Sequence, residues 1–426
     1  MKKLFASGVR TLVAVLLICT LNRTSVAYSV LTHEQIVDLL WAEQIAPLLL
    51  QQYPGTSAEE LRTAHAYAYG GCLIQDMGYY PFGNRFFSDL VHYVRSGDFV
   101  AALIGKSSNV NEYAFALGAL SHYAADIAGH PAVNAAVAEQ FPQLRKKYGR
   151  SVTFDEDPKA HIRTEFGFDV VQVANQRYTP ESYHDFIGFQ VARPLLERAF
   201  RDTYGVDLKD VFLSLDLSIG SFRRSISTVI PEMTRVALLL KKDELVKENP
   251  TFAKKKFLFN LKQADFEREW GKSYEKPGLG ARIIATVLRL LPKVGSFKAL
   301  AFKMPSPSTE TLYLKSVNAT VEQYRIYLKD LAGQRLTLAN TDFDTGKRTT
   351  AGEYRLTDST YAKLLDTLAD GNFAQLPDPL RRNILDFYSD PSAAVATKRK
   401  IADWNKTLAN IQQLKAIPAE APAGFD

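Results

Sequence analysis

All seven histidines of this 426-residue chain lie between positions 33 and 184, and two of them open the same spacing: His122 precedes Asp126 by four residues, and His161 precedes Glu165 by four. Four residues of α-helix turn through about 400°, so each pair projects from one helix face. A histidine and a carboxylate one turn apart can hold a metal ion, or two adjacent ions, without backbone strain. The same spacing also serves ordinary surface hydrogen bonds, so neither pair alone decides. The neighbours of His122 sharpen the reading. Ala114, Ala116, Gly118, Ala119, Ala124 and Ala125 make its helix small and apolar, and such a helix is expected to be buried. A polar group buried without a partner costs about 2–7 kcal/mol. His122 and Asp126 are therefore either a satisfied core pair or part of a metal site. The second pair, with His130 close by, favours the metal site.

Start and stop signals organise residues 28–240 as a mainly helical region without alternating strand patterns. Ser57 and Glu60 form a capping box, and the helix it opens is expected to run to about Asp76. Tyr79-Tyr80-Pro81-Phe82-Gly83 breaks the pattern. A helix starting near Ser88 carries His92. Asn109 and Glu112 open the helix of His122, which Gly129 and Pro131 are expected to end, with His130 just beyond. Asp157-Pro158 opens the helix of His161 and Glu165.

The first 27 residues read as a cleaved secretion signal: Lys2, Lys3 and Arg10, an apolar run from Leu12 to Leu21, and small residues at Ser25-Val26-Ala27. A secreted or periplasmic location is the corresponding expectation. Cleavage leaves Cys72 as the one cysteine, so neither an internal disulfide nor a disulfide-linked partner is expected. Residues 28–240 hold 18 basic and 24 acidic side chains, residues 241–303 hold 15 and 7, and residues 304–426 hold 15 and 15. An acidic region followed by a basic stretch does not favour a general nucleic-acid binder. Within the basic connecting segment, 279–302 alternates Arg282, Arg289, Lys293 and Lys298 with apolar residues. It reads first as a core helix with a solvated basic edge and second as an interfacial helix in peripheral membrane contact.

Residues 304–426 read as a smaller, mainly helical region with a short hairpin around Thr345-Gly346 and a disordered tail after Pro418. Asn340, Asp342, Asp344 and Gly346 have a spacing reminiscent of a calcium loop. The glycine is misplaced and Ala351 stands where a ligating glutamate belongs, so a calcium site is rejected.

Cleavage after Ala27 would make Tyr28 the N-terminus, in Tyr28-Ser29-Val30-Leu31-Thr32-His33. A free α-amino group has a pKa near 8 and yields its proton readily to a metal. Thr32 also fits as the cap of a helix from His33, and the two roles do not compete.

The ordered set His33, Asp76, His92, His122-x3-Asp126, His130 and His161-x3-Glu165 resembles the bacterial zinc-dependent phospholipase C family, whose helical zinc fold is shared with fungal single-strand-specific nucleases. The resemblance covers about residues 28–170. It implies Asp76, His92, His122 and Asp126 on a first zinc and His130, His161 and Glu165 on a second. A third would take the Tyr28 backbone, His33 and the shared Asp126. Asp76 is the implied general base. Two departures stand out. Tyr28 replaces the usual Trp, which backbone ligation tolerates. Only three residues separate Asp126 from His130, fewer than is usual, and His65 and His184 are the spare histidines. The C-terminal region also lacks the pattern of the β-sandwich that some members use for membrane docking. The resemblance implies hydrolysis of a phosphodiester in a phospholipid or a small phosphoester, with two to three zinc ions. The alternatives are a nuclease or nucleotidase on the same core, which would show aromatic stacking in a basic groove, and a non-enzymatic zinc protein. Structural zinc sites are usually closed and four-coordinate, which disfavours the last.

Overall fold

The computed structural model describes residues 30–174, 188–230, 234 and 302–418. The expected signal over residues 1–27, Tyr28, His184, residues 279–301 of the basic stretch and the tail beyond 418 lie outside the described residues. The chain folds as α1 (Val30–Leu40), α2 (Ala46–Gln52), α3 (Ala58–Gly71), α4 (Arg85–Tyr93), α5 (Ser96–Lys106) and α6 (Val110–Gln140). Then come α7 (Pro142–Tyr148), α8 (Pro158–Ala174), α9 (Arg193–Tyr204), α10 (Leu208–Val211) and α11 (Leu215–Arg224). After residue 302 follow α12 (Pro307–Ala332), α13 (Arg355–Asp370), α14 (Asp378–Phe387) and α15 (Ile401–Ala416). No β-strand occurs among the described residues, where an isolated antiparallel bridge joins Thr341 and Arg348. No described helix is long and apolar enough to cross a membrane.

The capping box at Ser57 and Glu60 is present, Asn109 caps α6, and Asp157 Oδ1 accepts the N–H of Ala160 at 2.9 Å at the start of α8. Three expectations need correction. The helix opened at Ser57 stops at Gly71, and Asp76 sits in a separate 3₁₀ turn, Ile74–Tyr79. The helix of His92 begins at Arg85, because Asn84 Oδ1 accepts the N–H of Phe86 at 2.9 Å and so caps it earlier. The helix of His122 does not end at Gly129 and Pro131 but continues to Gln140. A proline inside a helix forfeits one backbone hydrogen bond, here to Ile127 O, and costs about 3 kcal/mol. Contacts from the C-terminal region hold the continuation: Asn134 Nδ2 donates to Asp344 O at 2.8 Å. Gly346, at φ +69°, packs so tightly against the freed carbonyl that a Cβ there would stand 2.8 Å from Ile127 O. His130 therefore shares one helix with His122 and Asp126.

Helix α6 is the axis of the core. The alanines and glycine noted around His122 are fully buried or nearly so. Gly118 lets α3 approach until backbones touch: a Cβ at 118 would lie 2.1 Å from Ala68 O and 2.8 Å from Cys72 N. Along another side of α6 lies α12, which also reaches α1. Tyr324 donates to Leu117 O at 2.9 Å, and Tyr123 of α6 donates to Ala339 O at 2.8 Å. The expected hairpin is present between α12 and α13. Asp342 N donates to Lys347 O at 2.8 Å, and Thr349 N to Asn340 O at 3.0 Å. It docks on the α4–α5 junction, where Ser96 Oγ donates to Thr341 O at 2.6 Å and Phe343 N to His92 O at 3.3 Å.

A candidate metal centre

Five side chains from four elements meet inside this core. His33 comes from α1, Asp76 from the 3₁₀ turn, His92 from the last turn of α4, and His122 and Asp126 from α6. All five are 2% exposed or less. The ligand atoms of His33, Asp76 and His122 lie within 4.8 Å of one another, as do those of His92, His122 and Asp126. The His33 and His122 rings stack at 4.4 Å, and the His92 ring stands edge-on to His122 at 5.5 Å.

Distances within the cluster suit a cation better than hydrogen bonds. His122 Nε2 is 3.2 Å from Asp126, His92 Nε2 is 3.4 Å from Asp76 and 3.5 Å from Asp126, and His33 Nε2 is 3.7 Å from Asp126. Two ligands of a tetrahedral zinc ion, each about 2.0–2.1 Å from it, stand about 3.3–3.4 Å apart. Both oxygens of Asp76 and of Asp126, and His122 Nε2, make no hydrogen bond of acceptable geometry although fully buried. Buried polar atoms left this way are rare, and a bound ion is one of the few things that satisfies them.

The outer nitrogens tell the same story. His92 Nδ1 faces Ser88 O at 2.7 Å and His122 Nδ1 faces Cys72 O at 2.9 Å. His130 Nδ1 faces Phe343 O at 2.6 Å, and His161 Nε2 faces Val152 O at 2.6 Å. A carbonyl only accepts, so each of these nitrogens carries the proton. In the neutral form of each ring the other nitrogen keeps a lone pair. This is how metal-binding histidines are oriented and their tautomer fixed. The close approach at Gly118 brings the Cys72 carbonyl to His122.

His161 and Glu165 form a neighbouring buried pair on α8, Nδ1 to Oε1 at 3.3 Å, and the His161 ring stands edge-on to His130 at 6.3 Å. His130 occupies the turn after Asp126, so it extends the same face of α6 toward that pair. His65 is elsewhere: it pairs with Asp38 at 2.9 Å and stacks on Trp41, so it is not a substitute ligand.

Charge is finely balanced without metal. Burial lowers the His33 imidazole well below its usual range, as does the adjacent His122. Burial also brings His161 down to about 4. For His92 burial works downward, but Asp126 and Asp76 outweigh it and raise it to about 10. Burial, with Asp126 and Asp76 nearby, raises the Glu165 carboxyl well above the ordinary range. A proton on His92 thus offsets part of a concentration of carboxylates that a divalent cation would balance instead.

Two residues of this neighbourhood escaped the sequence reading. Phe343 packs its ring edge-on against His92 at 5.1 Å, and Asp344 Oδ1 lies 3.2 Å from His130 Nδ1. Both belong to the hairpin, and their only sequence signal was the Asn340-Asp342-Asp344-Gly346 spacing considered for calcium.

Residues 32–213 match the family model described as Zinc dependent phospholipase C. The match contains the site residues from His33 to Glu165 and excludes the hairpin. No curated protein and no solved structure matches the chain.

Proposed function

We propose, from the membership of residues 32–213 in the zinc-dependent phospholipase C family, that the chain is an exported phosphodiester hydrolase that cleaves the headgroup from a phospholipid. The observation that carries this reading is the convergence of His33, Asp76, His92, His122 and Asp126 at separations that fit ligands around a cation. Two to three zinc ions are assigned. Asp76, His92, His122 and Asp126 would hold the first, and His130, His161 and Glu165 the second. His33 and Asp126, with the backbone of Tyr28, would hold the third.

Bound zinc supplies a Lewis acid for phosphoryl oxygens and acidifies an attacking water toward neutral pH. The chain's own groups do the rest. Asp76, whose two oxygens make no hydrogen bond of acceptable geometry, is assigned to take the water's proton. Tyr79 and Tyr80 are buried phenols whose hydroxyls make no hydrogen bond, and burial keeps both well above the ordinary tyrosine range. They remain neutral donors, suited to phosphate oxygens.

The mature protein would be assayed on phosphatidylcholine vesicles, bis-nitrophenyl phosphate and single-stranded DNA, each with zinc and with chelator. Zinc-dependent release of phosphocholine is the expected result. Cleavage of DNA without cleavage of lipid would move the protein to the nuclease branch, and no zinc-dependent turnover of any substrate would end the hydrolase reading. Terminal sequencing of the exported chain tests processing at Tyr28.

A further inference from the structure

The hairpin between α12 and α13 lies outside the matched region, yet it touches three of the site histidines. The Phe343 ring packs on His92 at 5.1 Å and on His122 at 6.1 Å, and its carbonyl takes the Nδ1 proton of His130 at 2.6 Å. Asp344 adds a carboxylate at 3.2 Å from the same nitrogen. Its other oxygen, Oδ2, accepts from the Tyr93 hydroxyl at 2.9 Å and from the Tyr354 hydroxyl. Phe343 and Asp344 are both buried, and the hairpin is fastened on both sides, to Ser96 through Thr341 and to Asn134 through Asp344 O.

We propose that this hairpin is an outer wall of the metal centre, with Asp344 as the positioning residue for His130. Phe343 O accepts the Nδ1 proton, and Asp344 Oδ1 stands 3.2 Å from the same nitrogen. They hold the proton there and point the Nε2 lone pair away from the hairpin. Loss of such an outer partner typically weakens metal binding about 10–100-fold. The tyrosine pair locks the carboxylate, so it does not swing onto the metal or into solvent. Through this loop the C-terminal region controls the half of the site built by His130, His161 and Glu165. The inference rests on the zinc reading above.

The test uses the full-length protein and its Asp344→Ala, Asp344→Asn and Lys347→Ala variants. Zinc per folded chain, zinc affinity by competition with a chromophoric chelator, and the visible spectrum of the cobalt-substituted protein are measured. Melting temperature is taken with zinc and with chelator. Lys347 is on the same hairpin but solvent-facing, paired with Glu353 at 2.6 Å. Asp344→Ala is expected to weaken the most loosely held zinc about 10–100-fold, alter the cobalt spectrum and shrink the zinc-dependent gain in melting temperature. Asp344→Asn, which keeps an acceptor, should fall between Asp344→Ala and the parent, and Lys347→Ala should match the parent. Should Asp344→Ala fail to fold, the isosteric Asp344→Asn decides. A purely structural Asp344 would lower melting equally with zinc and with chelator, leaving affinity and cobalt spectrum unchanged; that result overturns the proposal while leaving the zinc reading intact. A parent that takes up no zinc removes both.

Discussion

Asp169 on α8 holds the first turn of α1: its Oδ2 accepts the backbone N–H of Leu31 at 3.0 Å and its Oδ1 accepts the Thr32 hydroxyl at 2.7 Å. Thr32 in turn meets the Tyr313 hydroxyl of α12 at 2.7 Å. His33 is the next residue, so three elements fix where its imidazole enters the cluster.

Replacing Asp169 by Ala is therefore expected to reach the candidate metal centre, although sequence alone assigned this aspartate no ligand role. The Leu31 N–H loses its acceptor, at a cost of about 1–3 kcal/mol, while the Thr32 hydroxyl keeps that of Tyr313. The variant should melt lower than the parent in chelator. It should also carry less zinc per folded chain, because His33 is no longer held. Elemental analysis together with thermal melts checks both parts.

Asp126 is a carboxylate that reaches three histidines, at 3.7 Å from His33, 3.5 Å from His92 and 3.2 Å from His122. Asp126→Asn keeps its size and removes the charge that balances a cation. It should lose zinc and most of the zinc-dependent gain in melting temperature, since metal bound only by the folded state stabilises that state. A simple core pair would instead lose on the order of 1–3 kcal/mol with zinc content unchanged.

Proton uptake gives a pH signature. In the metal-free fold His92 is raised to about 10, against an ordinary imidazole near 6.5. Its contribution is complete below about 6.5 and is lost as pH rises toward about 10. Glu165, also raised, acts in the same direction. Melting in chelator should therefore fall between pH 6.5 and 10. Zinc-loaded protein, whose ligands have already given up their protons, should hold its melting temperature over that range. Zinc added at pH 7 should release protons, measurable with an indicator dye in weak buffer.

Backbone contact at Gly118 predicts a further sensitivity. Gly118→Ala must push α3 away, because the new Cβ would meet Ala68 O at 2.1 Å. Overpacking of this kind costs about 1–3 kcal/mol. It also moves the Cys72 carbonyl that orients His122, so zinc affinity should drop as well. Gly105→Ala on α5 meets nothing within 4 Å and is the matched control. It should be neutral or stabilising by about 0.5–1 kcal/mol, through helix propensity alone.

Much of the site could be read from the chain itself, and the reason is that its signals are local. The spacing of His122 to Asp126 and of His161 to Glu165 acts within one turn. The caps at Ser57 and Asn109 are satisfied three residues on, at Glu60 and Glu112. The small residues of α6 announce its burial by their volume alone. Where local rules failed, a distant partner had overruled them. Pro131 is a helix breaker by its own chemistry, but residues more than 200 positions later pack against its turn and keep α6 whole. That continuity is what turns the four-residue spacing of Asp126 and His130 into one shared face. Likewise Asp344 meets His130 and Asp169 meets Leu31 across 214 and 138 residues. Sequence determined which residue types could ligate and on which helices they ride. Only the tertiary structure decided which carbonyls and carboxylates orient those ligands, because a hydrogen bond between distant segments leaves no periodic trace in either one.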